Sequence, residues 1–141
     1  MTKDVLVSIK GLQFDTFQED MEIETVTMAE YYQRNGSHYV LYEEAGEGFE
    51  ESTRNMMKFK ANKVELTKKG LINVQMIFEV GKKNMSNYAT PFGDILVGID
   101  TDKITIDETD DEIRMRVEYA LELNYEHQAD CRIDVKIKAK K

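Results

Sequence analysis

Residues 113–123, IRMRVEYALEL, decide the fold class, because an apolar side chain occupies every second position. This period of two is typical of a β-strand with one dry face and one wet face. Several of these residues are good helix formers, but a helix would leave Met115, Tyr119 and Leu123 off its apolar stripe. The period therefore favours a strand over a helix.

The same alternation recurs along most of the chain. Residues 131–139 repeat it, and residues 124–130 are expected to form the intervening turn. Asn35-Gly36 predicts a type I′ turn in a long hairpin, because both central positions of that turn need positive φ. Ala61-Asn62 joins a second hairpin. Further strands are predicted at residues 5–9, 72–80, 95–99 and 104–106, with turns at 100–102 and 107–112.

These segments add up to about ten strands in 141 residues, without a long helix. Apolar residues make up 41% of the chain, which is enough to close one core, so residues 1–141 are expected to form a single domain. An antiparallel meander has two exposed edges unless it closes on itself. The sequence therefore predicts an all-β, antiparallel barrel of about 8 to 10 strands rather than a sandwich.

The charge balance restricts the partners of this chain. There are 19 basic and 27 acidic side chains, and the net charge of −8 repels phosphate backbones and anionic headgroups. Nucleic acid is therefore disfavoured as a partner. We find no apolar run of signal-peptide or membrane-spanning length, which predicts a cytoplasmic protein without a membrane association.

Two basic clusters, at residues 54–69 and 132–141, are the one argument for an anionic partner. If their strands were neighbours, they would form a basic face on an acidic protein. Edge strands protected by lysine explain the same clusters without a ligand.

The sequence contains no catalytic motif. His38 and His127 are the only histidines, and we expect both to be solvated and neither to belong to a catalytic or metal-binding set. Cys131 has the parity of Ile133 and is expected to be a buried hydrophobe with a raised thiol pKa. The acidic segment 100–112 lacks the glycine of a calcium loop. No catalytic residue, metal ligand or cofactor is predicted.

Several short phrases, in order along the chain, carry a resemblance to a known family. They are Tyr31-Tyr32, Asn35-Gly36, Tyr42-Glu43-Glu44, Lys68-Lys69-Gly70 and the run YATPFGD at 88–94. Together they resemble the YwiB-like family of small bacterial proteins. That resemblance implies a calycin-like barrel of the lipocalin type whose biochemical function is unassigned. Lys68 stands where an arginine is expected in the family pattern, and lysine lacks the planar fork for bidentate contact with an anion.

The tyrosines supply the candidate binding groups. A barrel of about eight strands has room for its own side chains or for one small ligand. Inward tyrosines that converge with a lysine at one mouth would orient a mostly apolar guest. The candidate ligand-binding residues are Tyr42, Lys68, Tyr88 and Tyr119. The alternative is a filled core in which tyrosine hydroxyls reach the rim.

Two functions follow from these observations. The first is a non-enzymatic barrel that binds a small, largely apolar molecule, by analogy with its fold. The second is a protein-interaction module, either a homodimer or an adaptor for an anionic or nucleic-acid-bound partner, which would expose clustered aromatics such as Phe14, Phe17 and Phe49. An enzyme is not expected.

Overall fold

The alternation in the sequence becomes ten antiparallel strands in a computed structural model that describes residues 3–11, 24–45, 52–70, 73–90 and 93–140. The strands are β1 Asp4–Lys10, β2 Glu24–Arg34, β3 Ser37–Ala45, β4 Ser52–Lys60, β5 Lys63–Lys69, β6 Val74–Glu79, β7 Lys83–Thr90, β8 Gly93–Glu108, β9 Glu112–Leu123 and β10 Glu126–Ala139. The predicted Phe14, Phe17 and Phe49 lie outside the described residues.

All ten strands form one sheet, and most of them pair with their neighbours along the chain. The first and last strands also pair, from Val5 opposite Ala139 to Lys10 opposite Asp134. This ladder joins the half formed by β1 to β6 to the half formed by β7 to β10. The edge strands of the whole sheet are therefore β6 and β7.

The two edge strands meet at a seam. Within the described residues β6 and β7 form no ladder, but the turn between them bonds to β8. There the Gly81 amide donates to the Thr101 carbonyl at 3.0 Å, and the Thr101 amide donates to the Lys82 carbonyl at 3.3 Å. Phe78 and Tyr119 make an edge-to-face contact inside the seam, with ring centroids 5.0 Å apart. The sheet is therefore a nearly closed barrel, which confirms the predicted fold class.

Most inward positions of this barrel are apolar positions of the alternating sequence pattern. Ile113 lies opposite Ile137, which lies opposite Val7, and all three side chains are completely buried. Met115 and Tyr119 are also buried. The strand interpretation of residues 113–123 is therefore correct, and the helical alternative is excluded.

Three details differ from the expectations. Residues 93–108 form one strand, because a register shift between Thr101 and Lys103 accommodates an extra residue where a turn was predicted. Residues 83–90, for which no strand was predicted, form β7. The turn between β9 and β10 is only Asn124-Tyr125, both with positive φ, so that Glu126 already belongs to β10. The turn at Asn35-Gly36 has positive φ at both residues, as predicted.

The antiparallel order gives the barrel two ends. The upper end holds the turns at 35–36, 61–62, 80–82 and 109–111, and the lower end holds the turn at 124–125. The completely buried aromatic side chains Phe59 and Phe78 lie toward the upper end.

Candidate ligand-binding cleft

The wall of the barrel opens between β2 and β3. Their ladder runs from Arg34 opposite Ser37 to Glu30 opposite Leu41. Below that point Ala29 pairs with Val5 on one side, and Tyr42 pairs with Asn55 on the other. Since the described parts of β2 and β3 form no further pairs with each other, the two strands separate toward the lower end.

A solvent-open cleft of about 670 Å³ lies at this separation. Its lining combines inward residues with outward residues of the same strands, as expected for an opening through the wall. The lining residues are Asp4, Met28, Ala29, Glu30, Leu41, Tyr42, Glu43, Arg54 and Asn55. We call this opening the β2–β3 cleft.

A polar row crosses the inner face beside the cleft. Tyr42 lies opposite Asn55, and Asn55 lies opposite Lys68 on the next strand. Tyr42 and Asn55 are buried, with 4% and 2% of their surface exposed, whereas Lys68 is half-buried. The Asn55 side-chain amide donates to the Thr53 carbonyl at 3.3 Å, but its Oδ1 accepts no hydrogen bond. This row is unusual because most buried polar atoms are paired.

The structure brings together two of the four predicted binding residues. Tyr42 lines the cleft, and Lys68 follows it in the polar row, one strand beyond Asn55. Tyr119 lies elsewhere, opposite Cys131 and Thr101, with its ring against Phe78. Tyr88 belongs to β7, where its backbone pairs with Ile95, and its side chain lies outside the described atoms.

A second buried polar cluster lies at the upper end. The Tyr31 hydroxyl lies 2.6 Å from His38 Nδ1, and His38 Nε2 lies 3.8 Å from a Glu108 carboxylate oxygen. The His38 ring also stacks on Phe59 at 4.8 Å. His38 is only 8% exposed, so the prediction that it is solvated is wrong, whereas His127 is exposed as predicted. The reason is that His38 has the inward parity of Val40.

The partners of His38 determine where its proton lies. The Gln33 side-chain amide nitrogen is 3.3 Å from Nδ1 and can only donate, so Nδ1 is an acceptor for it and for the Tyr31 hydroxyl. With Nδ1 as the acceptor, Nε2 is the ring nitrogen that donates, and it faces Glu108. Burial raises the pKa of Tyr31 to about 12, and the charge of Glu108 adds to that shift. Near neutral pH the hydroxyl is a hydrogen-bond donor and not a base.

Asn55, Tyr31, His38 and Glu108 were missed as a group by the sequence reasoning. A usable signal exists for two of them. Asn55 has the parity of Met57 and Phe59, and His38 has the parity of Val40 and Tyr42, so each is a polar residue at a core position. The pairing of His38 with Glu108 joins residues far apart in sequence, which no local pattern indicates.

Other predicted features have simpler outcomes. The two basic clusters do not meet, because β1, β2 and β3 lie between β4 and β10 in the sheet. Cys131 is half-buried, and burial raises the pKa of its thiol. Within the described residues no group of three or more His, Cys, Asp or Glu is placed to hold a metal ion, and no helix is long and apolar enough to cross a membrane.

Comparison with known proteins agrees with this architecture. Residues 7–135 match the family model described as a domain of unknown function, DUF1934. The chain belongs to this family. Its structure is similar to the crystal structure of ywiB protein from Bacillus subtilis, with a TM-score of 0.76 and 18% identity over 99% of this chain and 93% of that chain. At that identity the likeness concerns the fold alone. No curated protein matches this chain.

Replacing Asn55 tests whether the polar row costs stability. Asn55→Leu removes a buried carbonyl oxygen that accepts no hydrogen bond. The substitution also removes the 3.3 Å hydrogen bond from the Asn55 amide to the Thr53 carbonyl. We expect the free energy of unfolding to rise by about 1 kcal/mol, measured by urea denaturation. The control, Gln75→Leu on the exposed face of β6, should change it by less than about 0.5 kcal/mol. A clear loss of stability in Asn55→Leu would show that the amide is a structural group.

The raised pKa of Tyr31 predicts a loss of stability in alkali. An unfolded tyrosine ionises near pH 10, whereas folded Tyr31 keeps its proton until about pH 12. Since the unfolded state binds fewer protons in this window, stability falls as pH rises through it. Between about pH 10 and 12 the free energy of unfolding should therefore fall less for Tyr31→Phe than for the wild type. Urea denaturation at a series of pH values measures this difference. Tyr125→Phe, at an exposed turn, should follow the wild type, and equal slopes for all three proteins would contradict the assignment.

Proposed function

We propose that this protein is a non-enzymatic binding barrel that holds a small, largely apolar molecule in the β2–β3 cleft. The observation that carries the proposal is the opening in the wall, which leads from solvent to the buried side chains of Tyr42 and Asn55. Ligand sites typically combine apolar walls with a few convergent polar groups. Here Met28, Ala29 and Leu41 supply the apolar part.

The packing of the rest of the barrel supports the same location. The side chains of Phe59, Leu66, Met76, Phe78, Ile99 and Ile137 are completely buried within the barrel. A guest is therefore better accommodated at the cleft than along the barrel axis. Binding at a barrel mouth, of the lipocalin type, is an analogy based on fold. It supports this proposal but is not its main evidence.

The remaining features fit a binding role without catalysis. The high pKa of Tyr31 keeps its hydroxyl protonated, so this hydroxyl is not an activated nucleophile near neutral pH. The separation of the two basic clusters argues against a nucleic-acid partner. As part of the same proposal we place the protein in the bacterial cytoplasm.

Filling the cleft tests the function. Ala29 is 8% exposed and lines the cleft, so Ala29→Phe should occupy the space of the guest. We expect N-phenylnaphthylamine to fluoresce on binding to the wild type and its affinity to fall roughly tenfold in Ala29→Phe. Ala120→Phe, the same change at an outward position of β9, should bind like the wild type. Equal binding by all three proteins, or none by the wild type, would exclude the cleft as the site.

A second candidate function is a homodimer formed through the outer face of β1 and β2. Leu6, Val26 and Met28 are 40%, 57% and 47% exposed there, and Leu6 lies directly opposite Met28. Adjacent exposed apolar side chains are typical of protein interfaces.

A charge on this face should separate the copies. We expect a wild-type dimer in sedimentation equilibrium and a monomer for Val26→Glu. Val80→Glu, at an exposed position of the seam turn, should leave the dimer intact. A wild type that stays monomeric at all concentrations would exclude this function.

A further inference from the structure

The unpaired oxygen of Asn55 indicates what kind of group the cleft binds. Asn55 is 2% exposed and lines the cleft. Its Nδ2 donates to the Thr53 carbonyl at 3.3 Å, which defines the orientation of the amide, because the reversed amide would place two oxygens against each other. The free atom is therefore Oδ1, a hydrogen-bond acceptor.

The neighbours of Asn55 leave this acceptor unused. Tyr42 and Lys68 are its cross-strand partners and both can donate, yet Oδ1 receives a hydrogen bond from neither. A buried acceptor without a donor destabilises the empty barrel, and native proteins retain few such atoms. A donor that arrives with a ligand would remove this cost.

We infer that the ligand presents an N–H or O–H donor to Asn55 Oδ1 and lays an apolar body against Met28, Ala29 and Leu41. This inference rests on the proposed function and names its ligand class. The class comprises primary or secondary amides and alcohols with an aliphatic body. Esters, ethers and tertiary amides are excluded, because they would leave the buried oxygen unpaired.

The charges at the rim favour a neutral head over a carboxylate. The cleft is lined by the acidic residues Asp4, Glu30 and Glu43 and by one basic residue, Arg54. Arg54 lies 3.8 Å from Glu43, so its charge is already partly balanced. The excess of negative charge disfavours fatty-acid anions.

A matched pair of probes tests this class by isothermal titration calorimetry. Decanamide and N,N-dimethyldecanamide share the chain and the carbonyl, but only decanamide has N–H donors. We expect decanamide to bind the wild type roughly tenfold tighter. Asn55→Leu should lose this preference, and Gln75→Leu should keep it. Urea denaturation of each variant establishes that it is folded.

The outcomes separate the ligand class from the binding function. Equal affinity for the two amides, or a preference that survives in Asn55→Leu, would overturn the donor assignment while the binding function stands. If N-phenylnaphthylamine binds but neither amide does, the assignment is also wrong. If none of the three compounds binds the wild type, the proposed function itself fails.

Discussion

Backbone hydrogen bonding is the constraint on which this barrel depends, because each strand of a closed sheet needs a neighbour on both sides. The pairing of β1 with β10 meets that requirement for the two ends of the chain. It also brings the sheet edges β6 and β7 to the same place, where the turn between them bonds to β8. Without the β1–β10 ladder, the two halves would be separate meanders with four exposed edges.

The β2–β3 cleft is the local exception to this constraint. β2 keeps its pairing with β1, and β3 keeps its pairing with β4, while their own ladder ends at Glu30 and Leu41. The wall gives up a few hydrogen bonds there and gains an entrance to the interior. The buried and unpaired Asn55 lies beside that entrance, so two departures from ideal packing coincide. Such departures are concentrated at functional sites more often than elsewhere.

The two polar clusters of the barrel differ in kind. At the upper end Tyr31 and His38 are joined by a hydrogen bond of 2.6 Å, and His38 Nε2 lies 3.8 Å from a Glu108 carboxylate oxygen. The row of Tyr42, Asn55 and Lys68 contains an acceptor that no described residue satisfies. Because native proteins retain few buried acceptors without a donor, this oxygen is the basis of the ligand class that we infer for the β2–β3 cleft.

The sequence by itself determined most of the strands, their inward faces and the position of the main hairpin turn, because a period of two and the sequence Asn35-Gly36 are local properties. It named Tyr42 and Lys68 among four candidate binding residues, but it did not include Asn55, which lies between them and whose parity with Met57 indicated burial. Only the tertiary structure decided the β1–β10 closure, the opening between β2 and β3, and the contact of His38 with Glu108. All three features depend on which distant strands pair and on where a ladder stops. Local sequence patterns do not specify these pairings, because they join residues far apart in the chain.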